Sequence, residues 1–175
     1  SDLQVSPSTL KNYLQILEDT LIGFLVPGYT KTKKRKAISR SKHYMFDVGV
    51  SRTLSGTGEI KYKSKAFGDA FEHFIVLELR AFISYSRKNT EMKYWRSTSK
   101  FEVDLILGDE VALEIKSTES VNSKHLRGLR AFKEENIAKQ YIVVSLDAAR
   151  RKTSDDIQIL PWRDFLKALW AGKLI

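Results

Sequence analysis

The chain has 175 residues, 42% of them hydrophobic, and its 30 Lys and Arg against 21 Asp and Glu give a net charge of +9. This composition fits one compact domain with at most a small appendage, and it argues against a disordered tail. Because cysteine is absent, disulfides and thiolate metal sites are excluded. No apolar run approaches the ~20 residues of a membrane helix, and we expect a cytoplasmic protein without a membrane partner.

The N-terminal part predicts a helix followed by a hairpin. Residues 6–22 begin with possible serine caps and Pro7, and they carry apolar side chains at helical spacing: Leu10, Tyr13, Leu14, Leu17 and Leu21. A Pro-Gly turn signal follows, and KHYMFDVGV is a short strand-like piece that ends at Gly49. Such a unit is typical of the second half of a winged helix, but a plain helix–hairpin packing unit has the same pattern, and both interpretations stay open.

A run of cations without any acid lies within this hairpin, at residues 31–42. It includes Lys31, Lys33, Lys34, Arg35 and Lys36. The run is either a solvated loop or a contact for nucleic acid, and a basic run by itself does not decide between them. The charge excess of the whole chain commonly attracts phosphate backbones or anionic membranes. DNA is the partner that we expect, but charge alone does not separate DNA from RNA.

A Gly-, Ser- and Lys-rich linker at 55–65 precedes the most strongly predicted helix, at 66–85. Two acids of this helix point into apolar stripes: Glu72 is in line with Val76 and Leu79, and Glu78 lies among phenylalanines. A carboxylate in such surroundings needs a partner, a metal or a raised pKa. The hydrated side of the helix is predicted to carry Asp69, His73 and Arg80.

The rest of the chain predicts an α/β fold. Strand-like segments lie at 92–97, 102–107, 111–116, 139–146 and in IQILPW, while helices are predicted at 121–136 and in RDFLKALW. ARRKTSDD between them is predicted to be a charged loop. The order predicts a mixed sheet whose faces are covered by helices.

Two neighbouring strands, in EVDLILGDEVALEIKST, carry charges at positions where a core strand would be apolar. Alternation predicts that one face of the first strand carries Val103, Leu105 and Leu107. A two-residue turn at 108–109 would put Asp104 and Glu114 on opposite sheet faces. A three-residue turn at 108–110 puts them directly opposite each other, and we expect this turn if the charges form a site.

Two facing carboxylates on a half-buried sheet repel each other, and a divalent cation removes that repulsion. Oxygen ligands such as Asp104 and Glu114 suit Mg²⁺ or Mn²⁺. Lys116 emerges beside Glu114 and can orient a water or hold a phosphate oxygen, and Glu72 could complete the group. Each residue alone is more simply explained as a strand charge or an ion pair, but the set of four favours a site.

These residues also resemble a known family. Glu72 on a helix, then Asp104, then Glu114-Ile115-Lys116, resembles the core of the PD-(D/E)XK nucleases. GDAFEHFIVLEL, YWRSTSKFEVDLIL, EVALEIKST, LRGLRAF and ILPWRDFL are similar to the uncharacterised C-terminal domain of bacterial and archaeal AAA+ ATPases of the DNA-binding, nuclease-fused type. SPSTLKNYLQILEDT and SRSKHYMFDVG are similar to that family's preceding segment. The resemblance covers nearly the whole chain, although E-x-K alone is weakly specific.

The resemblance implies a restriction-endonuclease-like mixed sheet, with a partial winged-helix segment at 1–54, a linker at 55–65 and the nuclease-like domain at 66–175. It implies that Asp104 and Glu114 are metal ligands, that Lys116 is the catalytic lysine and that Glu72 is the helical acid, with Glu78 as the alternative. Tyr94, Trp95 and Arg96 are expected on the substrate side, although strand packing explains Trp95 better.

One departure from that family concerns nucleotide binding. No G-x-x-x-x-G-K-[ST] motif occurs, so ATP would bind only through a domain absent from this chain. Since the chain starts without Met, we expect it to be part of a longer protein with an N-terminal AAA+ ATPase domain. The sequence does not indicate an oligomeric state.

Three functions compete at this point. The first is a nuclease that uses Mg²⁺ or Mn²⁺ on DNA. The second is a binding or regulatory module in which the nuclease fold is kept and catalysis is weak or lost. The third is an RNA-binding protein without a catalytic site, which predicts no metal affinity.

Overall fold

The structure, a computed structural model, describes residues 5–175, which form five α-helices and eight β-strands. The helices are α1 Pro7–Asp19, α2 Val48–Leu54, α3 Lys65–Tyr85, α4 Arg127–Lys133 and α5 Trp162–Trp170, and a 3₁₀ turn at Ser123–Leu126 leads into α4. The strands are β1 Gly23–Val26, β2 Lys42–Met45, β3 Met92–Arg96, β4 Glu102–Leu107, β5 Val111–Lys116, β6 Gln140–Ser145, β7 Arg151–Lys152 and β8 Gln158–Pro161.

Six of the strands form one mixed sheet in the order β3-β4-β5-β6-β8-β7. β5, β6 and β8 run parallel to one another, and the remaining neighbours are antiparallel. Apolar residues of α3 and α5 fill the core on one face, and those of α4 fill the core on the other. The predicted α/β fold, a mixed sheet with helices on its faces, is therefore confirmed. None of the helices within 5–175 is long and apolar enough to cross a membrane.

Helix α3 anchors the first core layer. The Ser64 hydroxyl caps it by accepting from the Phe67 N–H at 3.1 Å. Its apolar stripe, which includes Val76 and Leu79, is fully buried. His73 is buried as well and bonds the Met45 carbonyl oxygen at 2.7 Å, because the β1–β2 pair covers this side of the helix. The prediction that His73 lies on the hydrated side of α3 is therefore wrong.

The N-terminal elements are a helix and a two-stranded antiparallel pair, β1–β2. The connection between these strands, which holds the basic run, lies along the free edge of β3. Its backbone bonds β3 through Tyr29 N–H to the Tyr94 carbonyl at 2.7 Å and Ile38 N–H to the Arg96 carbonyl at 2.8 Å. This pairing protects an exposed sheet edge. The winged-helix interpretation and the proposed domain boundaries stay predictions, and residues 1–4 of the first segment lie outside the described residues.

Two short elements were not predicted. α2 begins where a continued strand was expected, because the Asp47 carboxylate accepts from the Val50 N–H at 2.8 Å and caps a helix there. β7 forms within the predicted charged loop and pairs with β8. The predicted helix at 121–136 is shorter, because residues 121–122 precede the 3₁₀ turn and α4 ends at Lys133.

Candidate functional site

The turn between β4 and β5 has the predicted three residues. Leu107 pairs with Val111 and Leu105 with Leu113, so residues 108–110 form the loop. Gly108 has a φ of +56°, a conformation that glycine adopts without steric strain. The register that allows Asp104 and Glu114 to approach each other is therefore confirmed.

A β-bulge in β4 turns Asp104 toward the end of β5. On β3, Lys93 pairs with Ile106 and Trp95 with Val103, so Asp104 and Leu105 together face a single residue. A bulge of this kind bends the strand and redirects side chains. It also corrects the predicted alternation, because Val103 packs in the α4 layer with Ile106 rather than beside Leu105 and Leu107. The redirected Asp104 carboxylate accepts the Ile115 N–H at 2.8 Å.

Asp104, Glu114 and Lys116 meet at one point. The Lys116 Nζ lies 2.6 Å from Glu114 Oε1 and 3.7 Å from Asp104 Oδ2. Both carboxylate side chains are 8% exposed, and Glu114 Oε2 is buried without a hydrogen-bond partner. Such an orphaned oxygen is unfavourable unless another donor or a cation reaches it.

Burial controls the electrostatics of these groups. Burial raises the pKa of Glu114 to about 8, and the negative charge of Asp104 acts in the same direction. Burial also raises the pKa of Asp104, although Lys116 opposes the shift. Burial alone would lower the pKa of Lys116, but the charges of Asp104 and Glu114 outweigh it and raise that pKa above its ordinary value. Lys116 is therefore a cation at neutral pH.

A second ammonium group, which the sequence did not predict, joins the acids from the N-terminal hairpin. The Lys42 Nζ lies 2.8 Å from Glu102 Oε1, 3.3 Å from Glu72 Oε1 and 3.8 Å from Asp104 Oδ1. Burial acts to lower the pKa of Lys42, but these carboxylates raise it. The only signal in the sequence is that Lys42 and Tyr44 share one face of a strand-like segment.

Glu72 is held at the margin of this cluster. Its Oε1 accepts the Tyr44 hydroxyl at 2.7 Å as well as the Lys42 ammonium. Burial and the Glu72 charge raise the pKa of Tyr44, so its phenol stays protonated and donates. Glu78, the alternative helical acid, instead accepts the Trp170 indole N–H at 2.8 Å on the side facing α5. The structure thus brings Glu72, and not Glu78, to Asp104.

The predicted nucleic-acid contacts occupy different environments. Lys31, Lys33, Lys34 and Lys36 are exposed. Arg35 is partly buried, donates to the Ala131 carbonyl at 2.9 Å and pairs with Glu134. Arg96 is exposed and approaches Glu102 at 3.8 Å.

The strand-packing explanation holds for both aromatic neighbours of Arg96. Trp95 is fully buried, and Tyr94 is 4% exposed and donates its hydroxyl to the Arg40 carbonyl at 2.8 Å. Neither ring is therefore exposed to a substrate.

The comparisons with known proteins give two matches, both to domains of unknown function. Residues 67–165 match the domain of unknown function DUF4143, and residues 1–61 match the domain of unknown function DUF8612. The chain belongs to the DUF4143 family. Among curated proteins and among solved structures, nothing matches.

The cluster draws on both matched regions. The DUF4143 region carries Glu72, Asp104, Glu114 and Lys116. Lys42 and Tyr44 lie in the DUF8612 region and reach Glu72 and Asp104 from there. The acid cluster of the DUF4143 region is therefore neutralised partly from within, by Lys116, and partly by a side chain of the preceding region.

The DUF4143 region fits a divalent cation held by two carboxylates. Within residues 5–175, no set of three or more His, Asp or Glu side chains is arranged to hold a metal ion alone. Mg²⁺ usually binds through one or two carboxylates and keeps several waters. Glu114 Oε2 has no donor, and burial raises the pKa of both Glu114 and Asp104, so a divalent cation beside them would stabilise their ionised forms. Asp104 and Glu114 would be the ligands.

Proposed function

We propose that the chain carries a Mg²⁺- or Mn²⁺-dependent nuclease site of the PD-(D/E)XK kind, acting on DNA phosphodiesters. The observation that carries this proposal is the meeting of Asp104, Glu114 and Lys116, with one buried oxygen of Glu114 left without a donor. Buried carboxylate oxygens usually find hydrogen-bond donors, whereas Glu114 Oε2 has none, and a cation would compensate it.

The residues divide the chemistry between them. Asp104 and Glu114 would hold the metal, which supplies Lewis-acid charge to the phosphate as negative charge develops on it. Lys116 is cationic, so it acts as a donor to a phosphate oxygen or to the attacking water and not as a base. Glu72 holds Lys42 and Tyr44 in place beside Asp104.

The reaction is hydrolysis of one phosphodiester bond. The water oxygen forms a new bond to phosphorus, the bond from phosphorus to the leaving sugar oxygen breaks, and one water proton ends on that leaving oxygen while the other passes to solvent. The exposed lysines of the basic run would add sequence-independent, salt-sensitive affinity for DNA.

We also propose that the chain works within a longer protein. DUF4143 domains are often found at the C-terminus of AAA ATPases. An N-terminal ATPase domain would then supply the ATP binding that this chain cannot provide through a P-loop, and the nuclease-like region would act on DNA presented by that assembly.

A second candidate is a DNA-binding or regulatory module with weak or lost catalysis. The observation in its favour is that Lys42 and Lys116 already neutralise much of the acid cluster, and Lys116 Nζ stands 2.6 Å from a proposed metal ligand. On this alternative the ammonium groups replace the metal.

One experiment separates the two candidates. The chain is incubated with supercoiled, linear and branched DNA, with and without Mg²⁺ or Mn²⁺, beside Glu114→Gln and Lys116→Ala. Glu110→Gln, at a half-buried acid on the same hairpin turn that pairs with Lys139, is the matched control. A nuclease gives metal-dependent cleavage that Glu114→Gln and Lys116→Ala abolish and Glu110→Gln keeps. DNA binding without cleavage under any of these conditions supports the module.

A further inference from the structure

A second recognition surface borders the carboxylate cluster. Glu114 and Lys116 form part of the wall of an open cavity of about 530 Å³. Strand β4 and the preceding turn contribute Ser99, Lys100, Phe101 and Glu102, and the 3₁₀ turn and the start of α4 contribute Lys124, His125, Arg127 and Gly128. The cavity therefore opens directly onto the proposed reaction centre.

Three cations of this wall are free to bind a ligand. Lys100, Lys124 and Arg127 are exposed, and none of them pairs with an acid among residues 5–175. Other cations of the described residues are paired, as Arg130 is with Asp155 at 2.8 Å and Lys139 is with Glu110 at 2.5 Å. A cluster of unpaired cations around a concave surface focuses positive potential there.

The acids of the wall do not cancel this potential. Glu102 pairs with Lys42 at 2.8 Å and is approached by Arg96 at 3.8 Å. Glu114 is neutralised by Lys116 at 2.6 Å. An anion entering the cavity would therefore meet Lys100, Lys124 and Arg127 without facing an unpaired carboxylate.

The backbone that carries Lys124 and Arg127 is fixed by close packing. A Cβ on Gly128 would stand 1.8 Å from the Glu102 carbonyl oxygen, so the start of α4 lies directly against β4. Arg127, the neighbour of Gly128, is thereby held beside the acid cluster, and Lys124 lies within the preceding 3₁₀ turn. The cavity is thus built by a backbone contact rather than by flexible side chains alone.

Phe101 connects the cavity to the basic run. The guanidinium carbon of Arg127 lies 5.9 Å from the centroid of its ring, and that of Arg35 lies 5.3 Å away. Beyond Arg35, the backbone N–H groups of Lys33 and Lys34 donate to the Glu135 carboxylate, which holds this part of the run at the end of α4. A line of cationic side chains therefore runs from Lys116 past Phe101 to the basic run, and two of them, Lys116 and Arg35, are paired with acids.

We propose that this cavity binds the phosphodiester backbone of DNA next to the reacting phosphate. Lys100, Lys124 and Arg127 are its phosphate contacts. The DNA strand continues over Phe101 to the basic run. The proposal rests on the proposed function for its substrate class. It assigns to the DNA surface three residues that lie outside the basic run and names the direction in which the strand leaves the reaction centre.

The test measures binding in EDTA, so that it does not depend on cleavage. A fluorescein-labelled 20-base-pair duplex is titrated at several salt concentrations with the 175-residue chain or with the double variant Lys124→Ala/Arg127→Ala. Fluorescence anisotropy gives the Kd of each protein for the duplex. We expect the double variant to weaken binding at least tenfold and to reduce the slope of log K against log salt by about 2, one for each phosphate that is no longer neutralised. Lys139→Ala/Lys152→Ala, which removes the same charge from another surface, should change Kd less than about twofold, as expected for cations that do not touch the DNA.

The outcomes keep the two proposals apart. If the wild-type chain cleaves no DNA but binds it through Lys124 and Arg127, the cavity stands and the nuclease proposal fails. If the chain does not bind DNA, or if both double variants bind as the wild type does, the cavity proposal is overturned even where cleavage is seen. The single variant Lys124→Ala, with an exposed side chain, gives the same comparison should the double variant not fold.

Discussion

The ammonium of Lys42 lies 2.8 Å from the carboxylate of Glu102, and this contact joins the β1–β2 hairpin to the bulged strand β4. The same ammonium also reaches Glu72 and Asp104. Three carboxylates on two other elements thus depend on one lysine from the N-terminal region. The contact links the acid cluster to the fold, because the Lys42 charge compensates these carboxylates only while the β1–β2 hairpin packs against α3 and β4.

Lys42→Met should therefore destabilise the protein. The substitution keeps most of the side-chain volume but leaves one buried carboxylate, Asp104, and two partly buried ones with less charge compensation. We expect the free energy of unfolding to fall by about 1–3 kcal/mol. This lies between the contribution of an exposed ion pair and that of a fully buried one, since the Lys42 side chain is 25% exposed. Urea unfolding measures it, with Lys61→Met, an exposed lysine of the loop before α3, as control. Equal free energies of unfolding for both variants would show that Lys42 is not a structural cation.

Divalent cations should stabilise the folded chain through Glu114. A ligand at 100 times its Kd adds about 2.7 kcal/mol to the free energy of unfolding. For a chain of this size, such a gain raises Tm by about 5–10 °C. Glu114→Gln should lose most of this Mg²⁺- or Mn²⁺-dependent rise, because it removes one of two proposed carboxylate ligands. Differential scanning calorimetry measures Tm with and without the cation, and Glu110→Gln is the control. A rise in the Tm of Glu114→Gln equal to that of wild type would exclude Glu114 as a ligand.

The sequence identified Asp104 and Glu114 as a possible pair because a period of two and one turn length decide whether they share a sheet face. Gly108 allows the three-residue loop, and the loop then fixes the register of β4 against β5. The bulge at Asp104 and Leu105 could not be predicted in the same way, because it arises where β4 pairs with β3 and leaves no mark in the alternation of β4 itself.

Lys42 could not be predicted for a different reason. In the sequence it is the last cation of a basic run, and only the docking of β2 against α3 and β4 brings it to the acids. His73 shows the same limit, because helical periodicity assigns it to the hydrated side and a neighbouring element then buries that side. Local patterns predict which residues share a face, whereas tertiary packing decides what covers it.

Gly128→Ala should displace α4 from β4. A Cβ at this position would be 1.8 Å from the Glu102 carbonyl oxygen, a backbone atom that cannot rotate away. We expect the free energy of unfolding to fall by about 2–3 kcal/mol, the upper part of the range for overpacked positions. Gly58→Ala is the matched control, because no atom lies within 4 Å of its added Cβ. Its free energy of unfolding should stay within about 0.5 kcal/mol of wild type, as for surface substitutions. A Gly128→Ala variant as stable as Gly58→Ala would contradict the close approach of the two backbones.

The basic run should detach from α4 on acidification, because Glu135 holds it. This carboxylate accepts the backbone N–H groups of Lys33, Lys34 and Arg35 at 2.8, 2.9 and 3.0 Å. Burial acts to raise the pKa of Glu135, but the three donors outweigh it and lower that pKa below the ordinary glutamate value. Because the pKa is lowered in the folded state, these hydrogen bonds contribute their full stability at any pH above the ordinary glutamate pKa. That stability disappears as the pH falls through the lowered pKa of the folded state.

Amide NMR signals of Lys33, Lys34 and Arg35 report these hydrogen bonds directly. Between pH 6 and pH 2 they should shift together, with a common midpoint below the ordinary glutamate value of 4.5. Glu135→Gln should show the acid-form signals already at neutral pH. The control is Glu134→Gln, because the Glu134 carboxylate pairs with the Arg35 side chain and accepts no backbone N–H of the run. This variant should keep the wild-type pattern. Three separate midpoints, or a common one above 4.5, would mean that Glu135 does not anchor the run. In that case the line of cationic side chains from Lys116 to the basic run would have no fixed end.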